Sequence, residues 1–320
     1  MSASRNTAPS SPAPLPVRDN ANGDPRRVGV EIEFGALAEE QVTGVITERM
    51  GGQVEQRGER GYVVTDTELG DIEVYLDTQY LKRAESGFQQ RIHDIARQVV
   101  PVEIVTGPIL PAEITKLDAL CADLAKAGAT GTAAGVFLGF GVHFNPEVTG
   151  ETLPDILPTL RAFAFLEDSI RDAARIDLAR RVMPYVDAYP RPLLDGLAEE
   201  IGSLDALIDL YLDRAPSRNH GLDMLCLFAH LDEARVAGAM DMNLISPRPT
   251  YHYRLPDCRI DEPDWSLSLE WQRWVRIEEV AQDAGLIGDL CAAWRDHRAH
   301  LTTTRSDWAK RAADIVGGIS

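Results

Sequence analysis

Between Arg27 and Ala36 the chain reads RVGVEIEFGA, with an apolar residue at every second position and carboxylates among the rest. Val28, Val30, Ile32 and Phe34 alternate with Gly29, Glu31 and Glu33, the period of a strand whose two faces differ. Two side chains at i and i+2 on one strand face sit roughly 7 Å apart. Like charges that close repel unless water or a cation separates them. A strand this apolar must bury one face, so the other either meets water or builds a site. Solvated glutamates are the ordinary case. A hard cation such as Mg2+, which takes carboxylate oxygens, is the alternative.

Three further segments repeat the pattern. In GDIEVYLDT, Asp71, Glu73, Tyr75 and Asp77 share one face and Ile72, Val74 and Leu76 the other. In PVEIVTGP, Glu103 interrupts an apolar run, and GFGVHFNP places His143 and Asn145 two apart on a strand. Taken singly, Glu103 reads as a sheet-edge glutamate and His143 as a structural histidine. Taken together, four strands bring metal-capable groups on one face, and neighbouring strands lie about 4.8 Å apart, so the groups can converge. Carboxylates with an imidazole suit Mg2+ or Mn2+ better than zinc, which prefers Cys and His.

The remaining chain sets the organisation. Its first residues, MSASRNTAPSSPAPLPVRDNANGDP, show no apolar period, and residues 1–26 are expected to form a disordered tail. A helix is predicted over LAEEQVTGVITERM, stopping at Gly51-Gly52, followed by short strands near Val54, Tyr62 to Thr65 and Ile72 to Leu76. Next come the helix FQQRIHDIARQVV, the strand PVEIVTGPIL, the helix AEITKLDALCADLAKAGA and a strand from Gly135 to Pro146. From Leu153 the periodicity is helical, interrupted by one late strand, RPTYHYRL. Short glycine turns between strands predict an α+β fold with a largely antiparallel sheet. The predicted domain spans residues 27–257, with a helical extension over 258–320 whose Trp265, Trp271 and Trp274 cover apolar surface.

With 320 residues, 44% hydrophobic and 26% charged, the chain can build one large domain or two small ones. A net charge of −18 argues against nucleic acid or an anionic membrane as partner. There is no secretory signal and no run long enough to span a bilayer. Cys121, Cys226, Cys258 and Cys291 form no C-x-x-C pair and read as reduced thiols of a cytoplasmic protein.

Cationic residues come late. LARRVMPYVDAYP places Arg180 and Arg181 at a helix end, APSRNHGLDM puts Arg218 and Asn219 at a helix start, and SPRPTYHYRLPD carries Arg248, His252 and Arg254. Arginines near helix ends commonly compensate dipoles or meet solvent. Beside metal ligands, their planar forks instead suit phosphate oxygens. No G-x-x-x-x-G-K-[ST] loop is present, and GVFLGFG matches no dinucleotide fingerprint.

In that order, GVEIEF, VPVEIVTGPI, GFGVHFNP and RPTYHYRLPD resemble the amidoligases, a branch of the glutamine synthetase and glutamate–cysteine ligase superfamily. The resemblance runs from about Val28 to Asp257 and rests on motif order, since no single motif is specific. It implies a curved, mainly antiparallel sheet of the glutamine synthetase catalytic type, backed by helices and carrying Mg–ATP. It implies ATP-dependent amide bond formation between a small-molecule or peptide carboxylate and an amine, through an acyl phosphate. Glu31, Glu33, Glu73, Asp77 and Glu103 would hold metal; His143, Asn145 and Arg218 would bind nucleotide; Arg248, His252 and Arg254 would be catalytic. Two positions depart from the pattern: relatives tend to read V-E-x-D where this chain has VYLD, and Glu where His252 stands. A nucleotide- or metabolite-binding protein of the same fold, or a metal-dependent hydrolase, are the alternatives.

Overall fold

The structure is a computed structural model and describes residues 11–58, 61–76, 101–132, 139–174, 186–300 and 302–318. Among these residues the fold is α+β, with eight strands and ten α-helices. The strands are β1 (Val28–Phe34), β2 (Gln53–Gln56), β3 (Gly61–Thr67), β4 (Gly70–Leu76), β5 (Val102–Thr106), β6 (Val142–Pro146), β7 (Leu222–Asp223) and β8 (His252–Tyr253). Hydrogen-bonded neighbours follow the order β2-β3-β4-β5-β1-β6-β8-β7, and the pairs β1–β5, β2–β3, β3–β4, β4–β5 and β7–β8 are antiparallel. The predicted antiparallel α+β class is what forms. The chain divides into two compact units, one of Arg27–Phe144 with Pro256–Glu270, the other of Ala13–Arg26, Asn145–Leu255 and Trp271–Ser320.

In the first unit the register explains the alternation. Ile32 lies opposite Ile104, and Ile104 opposite Val74; all three are fully buried. Helix α1 (Glu39–Met50) covers that apolar face with Val42, Ile46 and Met50, and its Glu40 accepts a hydrogen bond from Tyr62, the partner of Val74. Helix α2 (Ile114–Ala127) buries Ile114, Leu117, Leu120 and Leu124, then stops where Gly128 turns left-handed at φ 108°. Each such side chain taken from water contributes about 1.5–3 kcal/mol.

As predicted, α1 ends before Gly51-Gly52. Gly52 has φ 95°, and a Cβ there would collide with the Thr65 carbonyl at the start of β2. Strain and overlap combine, so Gly52→Ala is expected to cost about 1–3 kcal/mol. Thermal melting of that variant beside Gly51→Ala, whose Cβ would meet open space, separates the collision from the shared cost of a positive φ.

The second unit is mainly helical. Helix α3 (Leu153–Ala173) packs against α9 (Ala284–Ala299) and α10 (Arg305–Ile315). Trp294 and Trp308 meet edge to face at 4.9 Å, and the Trp308 indole donates to the Phe165 carbonyl at 2.9 Å. Helix α8 (Leu267–Ala281) buries Trp271 and Trp274 completely.

Four expectations change. Residues 13–26 are not a free tail: Leu15 and Arg26 are buried, and the Trp271 indole donates to the Ala13 carbonyl at 2.9 Å. The composition hid this because a single buried arginine and leucine leave no periodic trace. The late strand RPTYHYRL pairs as β8 over His252–Tyr253 only, and of the strand expected over residues 135–146 β6 forms Val142–Pro146, residues 135–138 lying outside the described residues. Arg218 precedes β7 instead of opening a helix; helix α6 begins at Leu225. The predicted helix FQQRIHDIARQVV, Asp77, Arg180 and Arg181 lie outside the described residues. No helix among the described residues is long and apolar enough to cross a membrane.

Candidate functional site

The polar face of the first unit is built strand by strand. Glu33 lies opposite Glu103, and Glu103 opposite Tyr75; Glu31 lies opposite Val105, and Val105 opposite Glu73. Residues directly opposed in an antiparallel ladder share a face, so the carboxylates of β1, β4 and β5 point the same way. From β6, beside β1, comes His143, whose Nδ1 lies 2.7 Å from a Glu31 oxygen and Nε2 3.8 Å from a Glu33 oxygen. Glu33, Glu103 and His143 each offer one ligand atom, and these atoms lie within 4.8 Å of one another. Glu103 and His143 are buried, while Glu31 and Glu33 are partly exposed.

Like charges this close need compensation, and each carboxylate has a donor on a neighbouring segment. Glu31 meets the His143 ring, Glu33 accepts the Gly141 amide at 2.8 Å, and Glu103 accepts the Tyr75 hydroxyl. Burial, then the charges of Glu103 and Glu31, push the Tyr75 phenol far above its ordinary range, so it stays protonated and donates. Tyr75, one of the two departures from the family pattern, donates its hydroxyl to Glu103. The donor set, carboxylates with one imidazole, fits Mg2+ or Mn2+.

The second unit holds a charged group of its own. Asp223 on β7 is buried, with the His252 Nδ1 at 3.6 Å and the Arg218 Nε at 3.7 Å. Burial alone would raise the Asp223 carboxyl, but contacts with His252, the Leu225 amide and Arg254 outweigh it and hold the group below the usual carboxylate range. The Arg254 guanidinium donates to the Arg218 carbonyl at 2.5 Å, and Arg248 donates to the Asn145 side chain at 2.7 Å.

Of the expected metal residues, Glu31, Glu33 and Glu103 converge with His143 in the first unit. Glu73 shares their face but pairs with Arg57 at 3.1 Å. Asn145, Arg218, Arg248, His252 and Arg254 all belong to the second unit. Asp223, the anion that gathers three of them, went unread in the sequence. An acidic residue inside the apolar run GLDMLCLF was the available signal, since ionised side chains are rarely buried without partners.

An antiparallel sheet with a carboxylate–histidine face defines an α+β protein whose polar sheet face offers ligand atoms that could hold a divalent cation. Residues 24–276 match the family described as "Putative amidoligase enzyme", and the chain belongs to that family. Searches of curated proteins and of solved structures found no match.

Proposed function

We propose that the protein is an ATP-dependent carboxylate–amine ligase with a glutamine synthetase-type sheet, acting on a small-molecule or peptide carboxylate and an amine in the cytoplasm. The observation that carries the reading is the group Glu33, Glu103 and His143 on one sheet face of an amidoligase-family chain. With Glu31, these residues would hold Mg2+ or Mn2+, which supplies charge neutralisation on phosphate oxygens. A substrate carboxylate oxygen bonds the γ-phosphorus as the bond to ADP breaks. The amine nitrogen then bonds the carbonyl carbon, phosphate leaves with the electron pair, and the nitrogen's excess protons pass to solvent.

In this reading Arg248 and Arg254 steady the phosphoryl group, with Asn145 and Asp223 orienting them. His143, Asn145 and Arg218 serve the nucleotide, and His252 is held by Asp223. Four buried thiols suit a reducing compartment. Arg254→Lys keeps the charge but loses the paired donors. Turnover is expected to fall on the order of a hundredfold with little change in ATP affinity, the pattern of a contact made mainly in the transition state. Steady-state kinetics beside ATP titration measures both.

The activity itself is tested by ADP release with Mg2+ across pooled carboxylates and amines. A ligase needs both co-substrates. Product formation without ATP would identify a hydrolase, and a nucleotide-induced rise in melting temperature without turnover a binding protein.

A further inference from the structure

Beside the carboxylate group, the β3–β4 hairpin encloses a cleft of about 360 Å3 whose lining includes Arg57, Gly61, Val63, Glu73 and Tyr75. The register sets Gly61 opposite Tyr75 and Val63 opposite Glu73, and Tyr75 continues to Glu103 on β5. Gly61, Val63, Glu73 and Tyr75 thus lie on the sheet face of Glu33 and Glu103, while Tyr62, Val74 and Leu76 line the cleft from positions of the opposite face. The cleft volume stands at the small end of the range for ligand sites.

Among the described residues its charges come as one pair. The Arg57 guanidinium lies 3.1 Å from Glu73, and the two side chains are 65% and 48% exposed. An exposed pair of this kind contributes little to stability, so a ligand can part it at small cost. A ligand with one anionic and one cationic group side by side would replace it with two contacts. The guanidinium fork suits a carboxylate, and Glu73 suits an ammonium group. A simple anion would be repelled by Glu31, Glu33 and Glu103 on the same face, whereas a polycation would meet Arg57. Gly61 keeps the floor open, because a Cβ there would sit 3.1 Å from the Arg57 carbonyl and 3.7 Å from the Tyr75 Cβ. Tyr75 forms a fixed wall, its hydroxyl committed to Glu103.

We propose that this cleft binds a free α-amino acid as its zwitterion, Arg57 taking the carboxylate and Glu73 the ammonium, as the amine substrate of the ligation. The assignment of the amine rests on the ligase reading, and it makes Glu73 a substrate contact instead of a metal ligand. The chemistry favours an amino acid over a polyamine or ammonia.

The test is calorimetric titration of the full chain with the common amino acids, singly and without ATP. Each binder is compared with its amino alcohol, which lacks the carboxylate, and its N-acetyl form, which lacks the ammonium. At least one amino acid is expected to bind, and each blocked form at least tenfold more weakly. Arg57→Gln and Glu73→Gln should each weaken that amino acid tenfold or more, while Mn2+ binding by electron paramagnetic resonance stays unchanged. Both side chains are well exposed, at 65% and 48%, so the variants should melt like the parent. Absence of any amino-acid binding, equal binding of the blocked forms, or equal binding by the variants would overturn the proposal. The ligase reading fails separately, if an amino acid binds as described yet ADP release never depends on two co-substrates.

Discussion

Glu33→Ala is expected to abolish binding of Mn2+ and of Mg–ATP, and with it any turnover, while the chain still folds. Glu33 presents one oxygen to the Gly141 amide at 2.8 Å and the other toward the His143 Nε2 at 3.8 Å. It lies opposite Glu103 across the β1–β5 ladder, so it stands between the other two members of the ligand group. Removing the central carboxylate leaves His143, Glu103 and Glu31 and takes away the one ligand that joins the β5 and β6 members of the group. The side chain is partly exposed and the buried face of β1 is untouched, so the losses are confined to the Gly141 hydrogen bond and the approach to His143. Electron paramagnetic resonance with Mn2+ measures the site without reference to catalysis. Parent-like binding by Glu33→Ala and by Glu103→Ala would show that the polar face serves water alone.

Arg26→Ala is expected to lower stability by about 3–5 kcal/mol, a shift on the order of 10 °C in melting temperature. Arg26 is 1% exposed and forms a two-pronged ion pair with Glu278 at 2.7 and 2.8 Å. It also donates to the carbonyls of Glu147 and Val17, while Glu278 accepts the Trp274 indole at 2.8 Å. Removing the cation leaves Glu278 charged, buried and short of donors, which is the expensive case. Because the loss belongs to the stranded partner, Arg26→Met with Glu278→Gln should be no worse than either change alone. Deleting residues 1–12 should leave the melting temperature unchanged, whereas deletion through Arg26 should reproduce the Arg26→Ala loss. Stability that survives deletion of residues 1–26 would refute the docking of this segment.

The period-two alternation around Glu31, Glu33, Glu73 and Glu103 determined, without any structure, that these residues share sheet faces. Alternation is local, set by the pleat of each strand. The same holds for the stop of α1 at Gly51-Gly52, where both residues adopt a positive φ that glycine takes most readily. Motif order was enough for the family, because its signature is spread along the chain.

What the sequence could not decide is who meets whom across long separations. Glu278 is far from Arg26 in the chain, and no pattern along either segment announces a single ion pair. Asp223 collects Arg218 and His252 only because β7 and β8 pair, and each strand is two residues long, too short to carry a period. Tyr75 stood out only as a departure from the family pattern until the register set it opposite Glu103, to whose carboxylate its protonated phenol donates. Glu73, on the predicted face, pairs with Arg57 of the β2–β3 connection. Faces follow from local geometry; partners follow from register and chain crossings, which only the folded molecule fixes.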